Sequence, residues 1–414
     1  MLRFLTTLIV GMLSSSLAAA QSPREISFVA FGDSGYIPSY ERLEADDPLY
    51  RTPGAYLAAQ AEDWLDHNAT LDGFTPTPMV FETALGSYIE QSGLYPVAWA
   101  MEEVCRTQGC AFAAMLGDNI YPDGATLGAD GISDERRFED MLGRPFAQLG
   151  ADVENFTIYS MMGNHDWHVS RRATEAQRSY LQRHPNFAMP DYFYSVVPPG
   201  FEGEIELFVI DTEMLLASTT VYVDELAPDG SEVRTGELEE WPDFVRPRTR
   251  AEREMVAWLE GALSRSNARW RIVMGHHALW SGGGSKYEKA HALRALLLPT
   301  VCRYADAYIS GDDHVLEVYT DDCRLVEGSP QAPLPMVVSG AASKYRQLHS
   351  AFMARQSERY PQLTNLWSRG QVWGFAYLRM EGDRLDVHMI STSPDMSGRP
   401  VEEAAFSFAR RNAN

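Results

Sequence analysis

Five short apolar runs in this chain each break off at a glycine followed by side chains able to bind a cation, and this repetition constrains the fold more than any other feature. Residues 26–31 lead into Gly32-Asp33-Ser34-Gly35, and residues 111–116 into Gly117-Asp118-Asn119-Ile120-Tyr121. Residues 156–162 lead into Gly163-Asn164-His165-Asp166, residues 270–274 into Gly275-His276-His277, and residues 307–310 into Gly311-Asp312-Asp313-His314. Side chains gathered beyond the carboxyl ends of strands occupy the crevice where open α/β sheets place their sites. A glycine ahead of each block lets the chain turn off its strand and aim the next side chain into that crevice. Carboxylate, amide, imidazole and phenol are all ligands for hard or borderline cations. Any one block taken alone reads as a turn or a helix cap; five in order read as a metal centre.

The segments between the runs carry helical spacing at 97–108, 134–142, 172–183, 250–266 and 290–304. Strands alternating with helices imply an α/β fold with a largely parallel or mixed sheet. Two later runs, 374–380 and 384–390, are joined by Glu381-Gly382-Asp383 and read as a closing hairpin. The stretch from about 37 to 94 is Pro-rich and aromatic, with one helix expected near 55–67. A structureless loop of that length is improbable, so it reads as an insertion capping one end of the sheet. A second irregular stretch, 213–248, is strongly acidic.

Residues 1–20 combine Arg3, a short apolar run and Ala18-Ala19-Ala20, the order of a secretory signal peptide. The expected location is therefore secreted or periplasmic, with no membrane partner. The formal net charge of -22 argues against nucleic acid, which needs a basic footprint. It also opposes an anionic substrate unless bound cations reverse the local sign. Four cysteines in an exported chain read as disulfides, Cys105 with Cys110 and Cys302 with Cys323 among three possible connectivities. A zinc site is the competing reading, though no CxxC pair accompanies them.

The blocks GDxG, GDxxY, GNH followed by an acid, a His after an apolar strand, and GHxH make the chain resemble the calcineurin-like metallophosphoesterases, and within them the purple acid phosphatases. Four of the five match as written, and the likeness spans most of residues 25–342. It implies a four-layer α-β-β-α sandwich of two mixed sheets, with a dinuclear metal site at the strand carboxyl ends, in one catalytic domain over residues 24–412. It further implies one metal held by Asp33, Asp118, Tyr121 and His314, and a second held by Asp118, Asn164 and His276, with Asp118 bridging. The implied activity is hydrolysis of small phosphomonoesters by a metal-bound hydroxide. His165 would contact phosphate and protonate the leaving group, and Asp166 would orient its imidazole. A tyrosinate at Tyr121 favours iron, paired with Fe, Mn or Zn.

The fifth block departs from the pattern, because Asp312 stands where an imidazole would complete the second metal. An oxygen donor there shifts preference from zinc towards Mn, Mg or Fe(II), or weakens the site. A further substrate-facing His is also missing from the stretch Ser281 to Lys286, and His277 or Lys286 is expected to replace its contact with phosphate. The alternatives are a phosphodiesterase or nucleotidase on the same site, or a binding protein with a degraded centre.

Overall fold

The computed structural model describes residues 25–411, so the expected signal peptide lies outside the described residues. Strand β1 (Ile26–Phe31) is apolar at five of six positions and buried at all six, as a strand covered on both faces must be. It leads through a 3-10 turn (Pro38–Tyr40) to helix α1 (Pro53–His67) and a small hairpin, β2 (Met79–Glu82) with β3 (Ser87–Glu90). Helix α2 (Leu94–Gln108), β4 (Phe112–Met115), α3 (Asp134–Phe138), β5 (Ile158–Ser160), α4 (Arg171–Arg183) and β6 (Phe187–Ala188) follow. Next come β7 (Tyr194–Val196), β8 (Ile205–Ile210), α5 (Thr212–Leu216), α6 (Arg250–Arg253), α7 (Met255–Arg265), β9 (Trp270–Gly275) and α8 (Tyr287–Tyr304). The chain continues through β10 (Ala307–Ser310), β11 (Leu316–Asp321), β12 (Leu334–Ser339), α9 (Ser350–Arg359) and β13 (Leu363–Arg369). It ends in β14 (Gly374–Glu381), β15 (Arg384–Thr392) and β16 (Pro400–Ala409).

These strands form two seven-stranded mixed sheets, ordered β16-β15-β14-β1-β4-β5-β6 and β13-β11-β12-β10-β9-β8-β7. In the first, β1, β4, β5 and β6 run parallel; in the second, β8, β9, β10 and β12 do. Helix α2 covers β1 and β14 to β16, while α7 covers β8, and strands β11 and β12 pack on β14 between the sheets. The result is the expected helix–sheet–sheet–helix sandwich, with one continuous apolar core across its layers.

Ser339 joins the two sheets beside the site. Its hydroxyl donates to the Ala30 carbonyl (2.7 Å) and accepts from the Ala376 N–H (3.0 Å), while its own carbonyl accepts from the Gly32 N–H (2.8 Å). The carboxyl ends of β1 and β12 are thereby held together, and all five ligand blocks open into one crevice. Segment 37–94 rests on the loop beyond β12: the Glu90 carboxylate accepts from the Tyr345 N–H (2.6 Å), and Asn68 Nδ2 donates to the Leu348 carbonyl (3.1 Å). Disulfides join Cys105 to Cys110 and Cys302 to Cys323, which removes the zinc reading of these cysteines.

Candidate metal centre

Asp33, Asp118 and Asp312 are each the first residue after a strand-end glycine, and each adopts a left-handed backbone, with φ of 59°, 50° and 68°. Aspartate tolerates that region better than most residues, so the sharp turn is made by the ligand itself. Of the five glycines ahead of the ligand blocks, Gly117 alone has a positive φ (91°), which corrects the expectation that each glycine makes the turn. What the others supply is room. A Cβ on Gly163 would lie 2.2 Å from Asp118 Oδ1, and one on Gly311 would lie 2.7 Å from Asp33 Oδ2.

Around the first centre, Tyr121 Oη lies 2.9 Å from Asp33 Oδ1, 2.9 Å from Asp118 Oδ2 and 3.0 Å from His314 Nε2. His314 Nε2 is 3.4 Å from Asp33 Oδ1. A phenol has one proton and cannot donate to two carboxylates at once. Around the second centre, the His276 Nδ1–H donates to the Leu116 carbonyl (2.8 Å), which leaves the Nε2 lone pair for an ion or a second proton. Without an ion, burial lowers this imidazole, but the Asp118, Asp33 and Asp312 carboxylates outweigh it and raise the group well above its usual range. That lone pair faces Asn164 Oδ1 at 3.1 Å, Asp118 Oδ1 at 3.4 Å and Asp312 Oδ1 at 3.8 Å. Acceptors aimed at acceptors in a buried site are satisfied by a cation. Ligands about 2.1 Å from a shared ion stand about 3 Å apart when adjacent. Asp33, Asp118 and His276 present ligand atoms within 4.8 Å of one another, as do His276, His277 and Asp312, and Asp312 Oδ2 lacks a hydrogen-bond partner. The residues present therefore fit a pair of ions bridged by Asp118.

The electrostatics carry the same excess of negative charge. Burial and the neighbouring acids push Asp33 well above the usual carboxylate range. Burial pushes Asp118 up as well, but the His276 and His165 imidazoles outweigh it and hold this carboxylate well below that range. Burial and the carboxylates of Asp118 and Asp33 drive the Tyr121 phenol far up. Burial alone would raise Asp312, yet the Lys286 ammonium, 3.2 Å from Oδ1, reverses the sign.

His165 lies at the mouth of the crevice, its Nδ1–H donating to the Pro122 carbonyl (2.5 Å) and its Nε2 3.9 Å from Asp118 Oδ2. Asp166 does not orient it, contrary to the sequence-based expectation. Its carboxylate points the other way and accepts from the Gly163 N–H (2.8 Å), the Asn119 N–H (3.1 Å) and side chain (3.0 Å), and Gln177 Nε2 (2.7 Å). The physical reason is donor supply: the turn after β5 leaves backbone N–H groups buried, and Asp166 is the acceptor within reach. His277 is buried, with Nε2 facing Glu213 Oε2 at 3.4 Å and Asp312 Oδ1 at 4.0 Å. Besides Lys286, three site residues that the sequence did not single out lie outside the strand-end blocks: Glu213, beside His277; Lys344, whose ammonium sits 5.0 Å from the Tyr121 ring centroid; and Arg346, paired with Asp313 Oδ1 at 2.8 Å. The one signal for them is the apolar run before each, since β8 and β12 end just upstream.

The comparisons with known proteins agree with this architecture. Purple acid phosphatase 4 of Arabidopsis thaliana is 29% identical over 259 residues, covering 61% of this chain and 65% of its own length. Purple acid phosphatase 17 of the same plant is 28% identical over 249 residues, covering 60% and 63%. The chain thus spans just under two thirds of these relatives' length. Among solved structures, GAP50, described as the anchor in the inner membrane complex of Plasmodium, shares the fold with a TM-score of 0.57 at 14% identity, covering 94% of this chain and 90% of that one. Purple acid phosphatase PPD1 from yellow lupin (Lupinus luteus) seeds does so with a TM-score of 0.50 at 14% identity, covering 94% and 55%. The family model for calcineurin-like phosphoesterases matches residues 91–316, more than half of the chain and four of the five ligand blocks described above. The chain belongs to the calcineurin-like phosphoesterase family.

Proposed function

We propose that the protein is a metal-dependent phosphatase that hydrolyses small phosphomonoesters at two ions, one in the Asp33, Asp118, Tyr121 and His314 set and one in the Asp118, Asn164, His276 and Asp312 set. The observation that carries this reading is the buried His276 Nε2 lone pair facing three oxygens, an arrangement a bound cation satisfies. When bound, paired cations supply Lewis acidity and lower the pKa of coordinated water. The chain's own contribution is positioning. His165, its ring fixed at Nδ1, presents Nε2 to the crevice, where as an imidazolium it would give up its Nε2 proton to the departing ester oxygen; burial lowers it to about 4, so this role favours acidic pH. Lys344 and Lys286 bring positive charge to the crevice of an otherwise acidic molecule, which favours a phosphate there. Retention of Tyr121 supports iron at the first site, with Fe, Mn or Zn at the second, and the expected signal peptide and the two disulfides support a secreted or periplasmic location.

Release of phosphate from p-nitrophenyl phosphate tests the proposal. We expect wild-type turnover and a loss of at least about a hundredfold in Asp118→Ala, since both ions lose a ligand. Turnover of bis(p-nitrophenyl) phosphate without the monoester would replace this reading by a phosphodiesterase. Asp312 favours one second reading, a binding protein with a degraded centre. The Plasmodium protein of the same fold is described as an anchor, and purified protein without stoichiometric metal or turnover would establish that reading here.

A further inference from the structure

We propose that His277 supplies the second metal with the imidazole that position 312 lacks, so that this ion is held by Asp118, Asn164, His276, Asp312 and His277. The inference rests on the two-metal reading above. His276 and His277 are consecutive, and consecutive strand residues point to opposite faces. Strand β9 ends at Gly275, however, so both imidazoles lie past its end, and their ring centroids are 5.0 Å apart. Each ring is held at Nδ1: His276 donates to the Leu116 carbonyl at 2.8 Å, and His277 Nδ1 lies 2.7 Å from Thr212 Oγ1, a hydroxyl that also accepts from the His277 N–H (3.1 Å) and can accept from Nδ1 or donate to it. A ring held by Nδ1–H donation presents Nε2 as a lone pair, the usual state of a metal-ligating histidine.

The space that His277 Nε2 faces is shaped for a cation. Nε2 and Asp312 Oδ2 are buried and lack hydrogen-bond partners, Asp312 Oδ1 meets the Lys286 ammonium at 3.2 Å, and the His276, His277 and Asp312 ligand atoms all lie within 4.8 Å of one another. Asp312 Oδ1 stands 3.8 Å from His276 Nε2 and 4.0 Å from His277 Nε2. Two ligands about 2.1 Å from one ion are separated by about 3 to 4.2 Å, according to the angle between them. Glu213 Oε2, also without a partner, lies 3.4 Å from His277 Nε2 and adds a second negative charge on this side. A phosphate oxygen contacting His277 would meet both acids, whereas a cation is drawn to them. Lys286 completes the exchange: its ammonium, 3.2 Å from Asp312 Oδ1, makes the Asp312–Lys286 pair neutral overall, as the missing imidazole is.

Metal binding by the full chain, stripped by chelation and reloaded, tests the proposal independently of activity. We expect two Mn(II) per chain in the wild type. In His277→Gln we expect one tight ion, with the second weakened at least about tenfold in a calorimetric titration, while cooperative thermal melting shows that the variant folds. Adding Asp312→His to His277→Gln restores the second ion. His277→Gln that keeps two ions at wild-type affinity overturns the inference and leaves the two-metal reading standing; a folded wild type that binds no ion overturns that reading itself. Should His277→Gln not fold, the unmodified protein decides. Loaded with Co(II), it is expected to show three exchangeable, hyperfine-shifted imidazole N–H resonances, from His276, His277 and His314, and two would overturn the proposal.

Discussion

At the scale of single residues, the centre depends on groups that bind nothing themselves. Asp166 collects N–H donors from the turns after β4 and β5 and from α4, and so fixes the positions of Asp118 and Asn164 without touching either ion's space. Asp166→Asn places an amide N–H2 among those donors, and leaving buried donors unpaired carries most of the cost of such a change. We expect destabilisation of about 2–4 kcal/mol, read as a lower urea midpoint, with turnover per folded molecule falling less than tenfold. Unchanged stability with a large fall in turnover would show instead that Asp166 acts on His165 directly.

At the scale of elements, the parallel strands were legible because both faces are buried and their runs are largely apolar: β1 and β10 begin and end where those runs do. The strands that escaped notice lack that signal. Strand β11 carries Glu317 and Asp321 inside the core, Glu317 being satisfied by the Tyr319 hydroxyl (2.8 Å) and the Gly282 N–H (3.0 Å). Strand β16, which opens on Pro400 and carries Glu402 and Glu403, has the half-exposed composition of a sheet edge. The expected helix over 134–142 widens instead into a π-turn at Glu139–Gly143, and that over 250–266 breaks at Glu254 behind a Thr249–Glu252 capping box. The candidate ligands could be read because each follows directly on its own strand; Glu213, Lys344 and Arg346 could not, because only the fold brings their loops to the crevice. The disulfides act at this scale too. Cys302–Cys323 ties the end of α8 to the end of β11 across 21 residues, whereas Cys105–Cys110 closes 5. Loop-closure entropy gives about 3 kcal/mol for the first and about 2 kcal/mol for the second. Paired Cys→Ser replacements should lower stability in that order in denaturant titrations, and the reverse order would refute the entropic account.

For the molecule as a whole, burial of acids within a chain of net charge -22 works against stability of the metal-free protein as pH rises above about 6. Burial raises Glu317 to about 7, with Asp313 adding to it, and raises Glu90 to about 7 against the pull of Lys344. Asp211, raised by burial against its own hydrogen bonds, reaches about 6. Each group therefore binds its proton more tightly folded than unfolded. The stability it contributes is fully present below the unfolded value near 4 and is lost as pH rises through the folded value of 6 to 7. Self-repulsion among excess carboxylates adds to that loss. Asp130 has the opposite sign: burial raises it, but hydrogen bonds from Arg137, the Ile132 N–H and Thr126 outweigh that and bring it to about 2, so its contribution is lost between about pH 4 and 2. Buried histidines act against the acids: burial lowers His165 to about 4 and His291 to about 3, so the stability they contribute is present above about pH 6.5 and is lost as pH falls. Chelated protein should accordingly melt highest between about pH 5 and 6 and progressively lower towards pH 8. Reloading with Mn(II) should raise the melting temperature more at pH 8 than at pH 5, because an ion entering the centre takes the place of protons that the acid-state protein retains. Glu317→Gln, which removes one raised carboxyl far from solvent, should flatten the decline above pH 6. Scanning calorimetry of the chelated protein from pH 4 to 8 decides the matter: a melting temperature that climbs towards pH 8 would show that the buried acids are ionised at little cost.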